Sequence, residues 1–246
     1  MPTDRPVELP VSLYGTHVGE LVSLGRSRSI LRWSDGAGER WGLNSATLSM
    51  NLRVGSVNEE QTDSFFGALL PEGAHLDRLA VEAKVASNDV VGLLGHVGAD
   101  LAGALRVGDE RIARDPAVLT AEEVEQLLVR ASGFLVGGGG SALPGLQRKL
   151  TLSRIDGRWT RGNGTLASTH ILKPVAEQDR ASVESENYTL AIARRLGLLT
   201  FESWVERIGS HMVLVIERYD RVRRGDTVTR LHQEDAAQAL GLPWNG

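Results

Sequence analysis

The order of sequence patterns after residue 137 constrains the fold of this chain most strongly. Residues 137–145 are rich in glycine, and residues 149–155 then alternate between polar and apolar side chains before an Asp-Gly turn and a returning strand. Dense glycine favours neither helix nor strand, because glycine loses the most backbone freedom when it is ordered. Alternation bounded by Asp-Gly is typical of a β-hairpin. We therefore predict an irregular loop that leads directly into a hairpin.

The elements after this hairpin carry a lysine and two glutamates at informative positions. The apolar stretch before Pro174 predicts a short strand that ends at the proline, with Lys173 as its last residue. Residues 182–196 have a helical pattern, and this helix carries Glu184 and Glu186. The two glutamates point in different directions, because positions i and i+2 of a helix do not share a face.

A second hairpin completes the pattern. Residues 204–208 and 212–217 predict two strands across a Gly-Ser turn, and they lead into Glu-Arg-Tyr at 217–219. A glycine-rich loop, a strand lysine, a helix glutamate and such a hairpin follow one another in the small lobe of protein kinases, where the loop and the lysine hold phosphates. Taken singly, Lys173 fits a surface lysine equally well, and residues 217–221 fit a solvated strand edge.

Other loop and site signatures fit less well. Gly140 and Gly145 have the spacing of a P-loop, but the Lys-Ser/Thr pair that should follow is missing. Residues 137–142 fit a loose dinucleotide fingerprint, yet they follow a predicted helix and precede a strand, which is the wrong context. On composition alone, a glycine run is more often a linker. The six histidines lack metal-ligand spacing, and no Gly-x-Ser-x-Gly motif is present.

The first hundred residues predict a small mixed domain. Its expected elements are strands at 11–14, 18–24, 29–33 and 101–107, an Asp-Gly turn at 35–36, and helices at 62–70 and 89–94. Thr62 is expected to cap the first helix and Pro71 to stop it. The apolar face of this helix belongs to the core and consists of Phe65, Phe66, Leu69 and Leu70.

A polar, proline-containing stretch at 108–119 separates this domain from a clearly predicted helix. Thr-Ala-Glu-Glu at 120–123 is a capping box. An apolar stripe follows at helical spacing, and Gly133 ends it; the stripe consists of Val124, Leu127, Leu128 and Ala131. We therefore divide the chain into an N-terminal domain, residues 1–107, and a second domain, residues 108–246.

Composition excludes several classes of protein. The net charge is −4 and aromatic residues make up 5%, which does not favour a chain that binds nucleic acid by itself. Cysteine is absent, so neither disulfides nor thiolate metal sites can form. No apolar run approaches the ~20 residues of a membrane span, and the polar N-terminus does not resemble a signal peptide. We expect a cytoplasmic protein with no membrane partner.

Several motifs in series resemble the HipA-type serine/threonine kinase toxins. They are FFGALLPEG at 65–73, LLGHVGAD at 93–100, LPGLQRKL at 143–150, STHILKP at 168–174, ARRLGL at 193–198, VIERYDR at 215–221, RLHQED at 230–235 and QALG at 238–241. Their order and spacing over residues 9–243 make the resemblance more specific than any one motif. It implies an α+β, HipA-like kinase fold with a small β-rich N-terminal subdomain, a protein-kinase-like N-lobe and a largely missing C-lobe.

The resemblance also implies a role for particular residues. Lys173 matches the family's ATP-binding lysine, and Glu186 matches the helix glutamate that orients it. Glu217, Arg218 and Tyr219 match the stretch that contacts adenine between the lobes. The family's ATP-phosphate loop corresponds to Pro144, Gly145, Leu146, Gln147, Arg148 and Lys149.

The function implied by the resemblance is the Mg-ATP-dependent phosphorylation of a protein serine within a toxin–antitoxin system. Characterised members of the family phosphorylate aminoacyl-tRNA synthetases and thereby halt translation. Their antitoxin is usually a small helix-turn-helix protein of the HipB type, so that DNA is reached indirectly through the antitoxin. We therefore expect ATP and Mg²⁺ as cofactors and this kind of antitoxin as a partner.

Two departures from the family pattern affect the expected activity. The family's autophosphorylated serine directly precedes the loop triplet, where this chain has Ala142, with Ser141 one residue earlier. The family's catalytic aspartate and the aspartate that binds Mg²⁺ would lie beyond Gly246, so the chain alone is expected to be inactive. The alternative function is therefore a truncated or split-toxin fragment that acts as a nucleotide- or antitoxin-binding module.

Overall fold

A computed structural model shows an α+β protein made of two compact units. It describes residues 7–25, 27–108, 117–130, 143–145, 147, 149–161, 166–175, 180–225 and 227–244. The first unit comprises Met1–Arg111, Ala142–Leu146 and Leu231–Gly246, and the second comprises Ile112–Ser141 and Gln147–Arg230.

The first unit is built on a four-stranded antiparallel sheet. Its strands are β1 (Glu8–Leu13), β2 (Thr16–Gly25), β3 (Arg28–Trp33) and β4 (Leu105–Val107), in the order β3-β2-β1-β4. The three N-terminal strands confirm the sequence prediction. Of the predicted strand at 101–107, only Leu105–Val107 is a strand, because residues 102–104 form a bend and turn in which Gly103 has a φ of +75°.

Among the described residues before position 108, the helices of this unit are α1 (Asp35–Trp41), α2 (Glu59–Gly67), α3 (Ala74–Ala83) and α4 (Val90–Val97). The predicted Asp-Gly turn at 35–36 is wrong, because Ser34 caps a helix there by accepting a hydrogen bond from the Ala37 N–H. The predicted cap Thr62 is also wrong. Asn58 caps α2, accepting from the Gln61 N–H, while Thr62 is buried one turn into the helix.

The core of the first unit contains the apolar face that the sequence predicts. Phe65, Phe66, Leu69 and Leu70 are all buried, which confirms their assignment to the core. Helix α3 was not predicted. It begins after Gly73, which makes no side-chain capping hydrogen bond, so the usual start signal is missing from the sequence.

The second unit is built on a six-stranded antiparallel sheet with the order β5-β7-β6-β8-β10-β9. In chain order its elements are β5 (Ala117–Val118), α5 (Ala121–Arg130), β6 (Leu150–Ile155), β7 (Arg158–Arg161), β8 (His170–Val175), α6 (Arg180–Arg195), β9 (Ser203–Ile208), β10 (His211–Glu217) and a separate hairpin of β11 (Arg221–Arg224) and β12 (Thr227–Arg230). Both predicted hairpins and the predicted helix that carries the two glutamates are confirmed.

Helix α5 covers one face of this sheet. Its predicted capping box is present, since Thr120 Oγ1 accepts from the Glu123 N–H at 3.2 Å and Glu123 Oε2 accepts from the Thr120 N–H at 2.8 Å. The predicted end of the stripe and the helix stop, Ala131 and Gly133, lie outside the described residues. The core beneath the helix consists of Val124, Leu128, Leu150, Leu152, Leu172, Ile208, Val213 and Val215.

The predicted end of β8 at Pro174 is wrong, because the strand continues to Val175. Pairing with β6 covers Leu150–Leu152 against residues 170–172, so β8 extends past β6 at this end. On the other side, Pro174 still pairs with Val213 of β10. A strand can accommodate a residue without an N–H where one of its sides is free of a neighbour.

The last described residues pack within the first unit. Asp235 and Gln238 form a capping box for α7 (Ala236–Leu240), and Gln238 Nε2 donates to the main-chain oxygen of Phe65 at 3.0 Å. The sequence places these residues in a second domain at 108–246, whereas Cα packing groups them with the first unit. Across the described ranges, no helix is both long and apolar enough to cross a membrane.

His170 makes the stability of the second unit depend on pH. Burial, followed by the nearby positive charge of Arg154, lowers the pKa of His170 from 6.5 to about 4. Between pH 6.5 and pH 4, His170 is protonated in the unfolded chain but neutral in the folded chain. The free energy of unfolding therefore decreases as the pH falls from 6.5 towards 4. The difference corresponds to about 3 kcal/mol. The urea midpoint of unfolding should decrease less between pH 7 and pH 4.5 for His170→Gln than for the unmodified chain. An equal decrease in both proteins would contradict this assignment.

Candidate nucleotide-binding site

A cleft of about 590 Å³ lies in the second unit where β8 extends past β6. Helix α5 borders it on one side and the first turns of α6 on the other. Its lining combines apolar side chains with a few polar ones, which is typical of small-molecule sites. The lining residues are Leu128, Val129, Gln147, Lys173, Pro174, Val175, Ser182, Val183, Glu186 and His211.

Lys173 and Glu186 form an ion pair in this cleft. Lys173 Nζ lies 2.6 Å from Glu186 Oε1, and the two side chains are 18% and 30% exposed. Strand alternation explains the position of the lysine, because Leu172 points into the core under α5 and the next side chain points to the opposite face. Partial burial reduces solvent screening of the pair and holds the ammonium group in one place.

The second glutamate of α6 faces solvent. Glu184 Oε1 lies 2.9 Å from Arg180 Nε in an i, i+4 pair, and both side chains are more than half exposed. The structure thus separates the two glutamates as helical spacing predicts, with Glu186 beside the lysine and Glu184 on the outer surface. The role of Glu186 towards a nucleotide stays a prediction.

The predicted phosphate loop is described in part. Gln147 is exposed and lines the cleft, whereas Pro144, Gly145 and Lys149 are half-buried. Gly145 has a φ of +105°, a conformation that favours glycine over every other residue. The remaining predicted positions, Ser141, Leu146 and Arg148, lie outside the described residues.

Residues 217–219, the stretch predicted to contact adenine, lie at the C-terminal end of β10. Glu217 accepts a hydrogen bond from the Glu202 N–H at 2.9 Å, and Tyr219 is 60% exposed with its ring 6.2 Å from that of Phe201. Glu217 pairs with His170 of β8.

Arg218 is buried, unlike its neighbours in this stretch. Its Nε and Nη2 donate to the two carboxylate oxygens of Asp220 at 2.9 and 2.7 Å, and its Nη1 donates to Ser168 Oγ at 2.9 Å. The side chain is therefore engaged inside the protein, and a contact with adenine from this residue would have to come from the main chain. Sequence reasoning missed this, because an Arg-Tyr-Asp-Arg segment is equally compatible with a solvated strand edge.

Sequence reasoning also missed His211 and Ser182 as lining residues of the cleft. His211 directly follows the turn of the second hairpin, and Ser182 lies in the first turn of α6. Neither position belongs to a recognisable local motif. Within the parts of the chain that the structure describes, no group of three or more His, Asp or Glu side chains is placed to hold a metal ion.

A strand lysine paired with a helix glutamate, set beside two hairpins, defines the class of the second unit as the small lobe of a protein-kinase-like fold. The family model of the HipA N-terminal domain matches residues 9–108, and that of the HipA-like C-terminal domain matches residues 141–245. The chain belongs to the HipA family, and its mixed α/β architecture is HipA-like.

Individual relatives agree with this assignment. The chain is 32% identical over 221 residues to Y4mE of Sinorhizobium fredii, whose name carries the word kinase, and 28% identical over 212 residues to the serine/threonine-protein kinase toxin HipA of Shewanella oneidensis. These matches cover 81% and 82% of this chain but 51% and 48% of the relatives. The chain thus spans about half the length of the curated relatives it matches.

A solved structure of the Shewanella oneidensis toxin–antitoxin assembly of HipA, HipB and operator DNA is similar to this chain. The TM-score is 0.77 at 26% sequence identity, and the match covers 96% of this chain and 56% of that one.

Proposed function

We propose that this chain binds ATP in the cleft at Lys173 and forms the nucleotide-binding part of a HipA-type protein serine/threonine kinase. The observation that carries the proposal is the partly buried ion pair of Lys173 and Glu186 inside a cleft large enough for a nucleotide. Glu186 fixes the lysine where a phosphate oxygen can replace water as its second partner. An ammonium group held in this way binds the α- and β-phosphates in kinases.

The register of the sheet supports a position for the rest of the nucleotide. Lys173 pairs with Leu214 of β10, and Glu217 follows three residues later. Three residues of strand span about 10 Å, which suits the distance from a base to its phosphates. We propose that adenine lies against residues 217–219 and that the phosphates extend towards Lys173 and Gln147.

For the whole protein, we propose a toxin of a toxin–antitoxin system that transfers the γ-phosphoryl group of ATP to a protein serine in the cytoplasm. An aminoacyl-tRNA synthetase is the proposed class of substrate, and a HipB-type helix-turn-helix protein is the proposed partner. The Shewanella relative was solved with HipB and operator DNA, which supports this kind of partner. Mg²⁺, when bound, would neutralise charge on the phosphates, and no cluster of ligands for it is found among the described residues.

Titration calorimetry of the 246-residue chain with ATP tests the proposal. We expect saturable binding at one site with a dissociation constant on the order of micromolar to millimolar, the range in which enzymes commonly hold substrates. Free phosphate and ribose at the same concentrations are matched controls and should show no saturation. Absence of ATP binding at several millimolar would contradict the proposal. A chain that bound a helix-turn-helix antitoxin but no nucleotide would instead be a protein-binding module.

A further inference from the structure

Residues 231–242, here called the strap, are attached to the rest of the first unit by side chains that bond to main-chain atoms. Nε2 of His232 lies 2.7 Å from the main-chain oxygen of Leu48. Two residues further along the strap, Glu234 accepts a hydrogen bond from the Met50 N–H at 3.0 Å. The capping box of α7 and its contact with α2 hold the remainder of the segment. His232 is thus one of a few points that keep the strap in place.

The ring of His232 is held as one neutral tautomer. A carbonyl oxygen only accepts hydrogen bonds, so Nε2 carries the proton and donates to Leu48. The other ring nitrogen, Nδ1, is buried and has no hydrogen-bond partner among the residues that the structure describes. A Cβ atom added to Gly103 would lie 3.2 Å from Nδ1, so the main chain of Gly103 closes this side of the ring. A second N–H at Nδ1 would bury both a positive charge and an unpaired donor, which is costly.

The groups around the ring do not compensate for its burial. Burial lowers the pKa of His232, although the hydrogen bond to Leu48 and the negative charge of Glu234 act in the opposite direction. From the β1–β2 turn, the ring of Tyr14 meets the imidazole edge-on at 6.4 Å, and its hydroxyl accepts from the His232 N–H at 3.3 Å. A phenol is neutral at the pH values at which histidine titrates. The attached strap therefore favours a neutral His232 below pH 6.5, where an imidazole in water is largely protonated.

We propose that His232 makes the strap a pH-sensitive latch, in which protonation of the imidazole and detachment of residues 231–242 occur together. Because Nδ1 is covered while the strap is attached, a proton reaches it only when the segment opens locally. In the open form the imidazole has its ordinary pKa of about 6.5, so protonation at pH 5.5 raises the population of the open form by about tenfold. Attachment is thus strongest above pH 6.5 and weakens as the pH falls. The latch lies in the first unit and does not depend on the proposed nucleotide site.

Hydrogen–deuterium exchange of the full chain, followed by mass spectrometry at pH 7.5 and pH 5.5, tests the latch once it is corrected for intrinsic exchange rates. The amides of Ala239, Gly241 and Leu242 donate hydrogen bonds within the strap. Their protection factors should fall by about tenfold between the two pH values. Helix α3 of the same unit makes none of these contacts, so its protection should stay unchanged.

Two glutamine variants assign the effect to one histidine. His232→Gln keeps an N–H that can reach Leu48 but cannot be protonated, so its strap should be equally protected at both pH values. His17→Gln removes an exposed histidine of the same unit and is the matched control. It should show the same loss of protection at pH 5.5 as the unmodified chain.

Three results would overturn the latch. Equal protection of the strap at both pH values would show that its attachment does not respond to protonation. An equal loss of protection in the strap and in α3 would mean that the whole unit opens. A loss that persists in His232→Gln would assign the pH dependence to another group. The first two comparisons use the unmodified chain and are decisive even if the glutamine variant does not fold.

Discussion

Replacing Asp220 with alanine is expected to destabilise the second unit by about 3–5 kcal/mol. Its carboxylate lies between two guanidinium groups, 2.7 Å from Arg218 Nη2 and 2.8 Å from Arg221 Nη1. The three side chains are at most 5% exposed. The substitution by alanine would leave the guanidinium groups of Arg218 and Arg221 buried without the carboxylate that they share. Water cannot replace the carboxylate at a buried position. A cost of this size is a large part of the 5–15 kcal/mol that typically stabilises a domain.

Urea unfolding of the full chain, followed by circular dichroism, measures this effect. The matched control is Asp156→Asn, which removes the charge of a carboxylate that is 72% exposed and lies 3.7 Å from Arg223, and which keeps a residue type that tolerates the positive φ of this turn position. An exposed pair of this kind contributes at most about 1 kcal/mol, so the control should have nearly the urea midpoint of the unmodified chain. Equal midpoints for the two variants would show that the buried arginines do not depend on Asp220.

The same buried group positions the stretch that we expect to contact adenine. Arg218 donates through its main-chain N–H to the oxygen of Thr169 at 2.9 Å and through Nη1 to Ser168. These contacts hold residues 217–219 against the start of β8, the strand that also carries Lys173. Loss of Asp220 should therefore disturb the end of the nucleotide site as well as stability.

Local patterns account for the parts of the fold that the sequence predicts correctly. The hairpin turn at Asp156 and Gly157 follows from two residues that tolerate positive φ, and both have it, at 48° and 77°. The capping box at residues 120–123 needs only the first turn of a helix. Such features depend on neighbours in the chain, so a single sequence is enough to find them.

Features that depend on distant neighbours were missed or predicted wrongly. Pro174 is tolerated inside β8 because β6 is already shorter at that end, which no local pattern reveals. The burial of Arg218 depends on Ser168, fifty residues earlier in the chain. Gln238 reaches Phe65 across most of the chain length, so its place in the first unit could not be read from residues near 238.

The candidate site was found by resemblance rather than by local pattern. Lysine at a strand end is ordinarily a surface residue; the order of elements suggested a helix glutamate as its partner, and the series of motifs identified that glutamate as Glu186. The structure adds their contact at 2.6 Å and the position of His211 in the same cleft. What the sequence could not indicate is which side chains line that cleft, because this depends on packing between α5, β8 and β10.

Replacing Lys173 with alanine is expected to lower the affinity of the chain for ATP by about ten- to a hundredfold. The substitution would remove one or two charge-assisted hydrogen bonds between the ammonium group and phosphate oxygens. A hydrogen bond to a charged group contributes about 1.5–3 kcal/mol to the free energy of an interaction. Without the lysine, the partly buried Glu186 carboxylate would also face the phosphates directly and repel them. Calorimetric titration with ATP measures the loss, and circular dichroism should show that the variant is folded.

Two further substitutions on α6 distinguish a positioned lysine from a merely cationic surface. Glu186→Gln leaves the charge of Lys173 in place but removes its anchor at 2.6 Å, so the lysine must be ordered by the nucleotide itself and binding should weaken several-fold. Glu184→Gln removes the same charge from the same helix, where the carboxylate pairs with Arg180 in solvent, and should leave binding unchanged. If the two glutamine variants weakened ATP binding equally, the contact between Glu186 and Lys173 would not be what positions the lysine for the nucleotide. If Lys173→Ala bound ATP as tightly as the unmodified chain, the nucleotide would have to lie elsewhere.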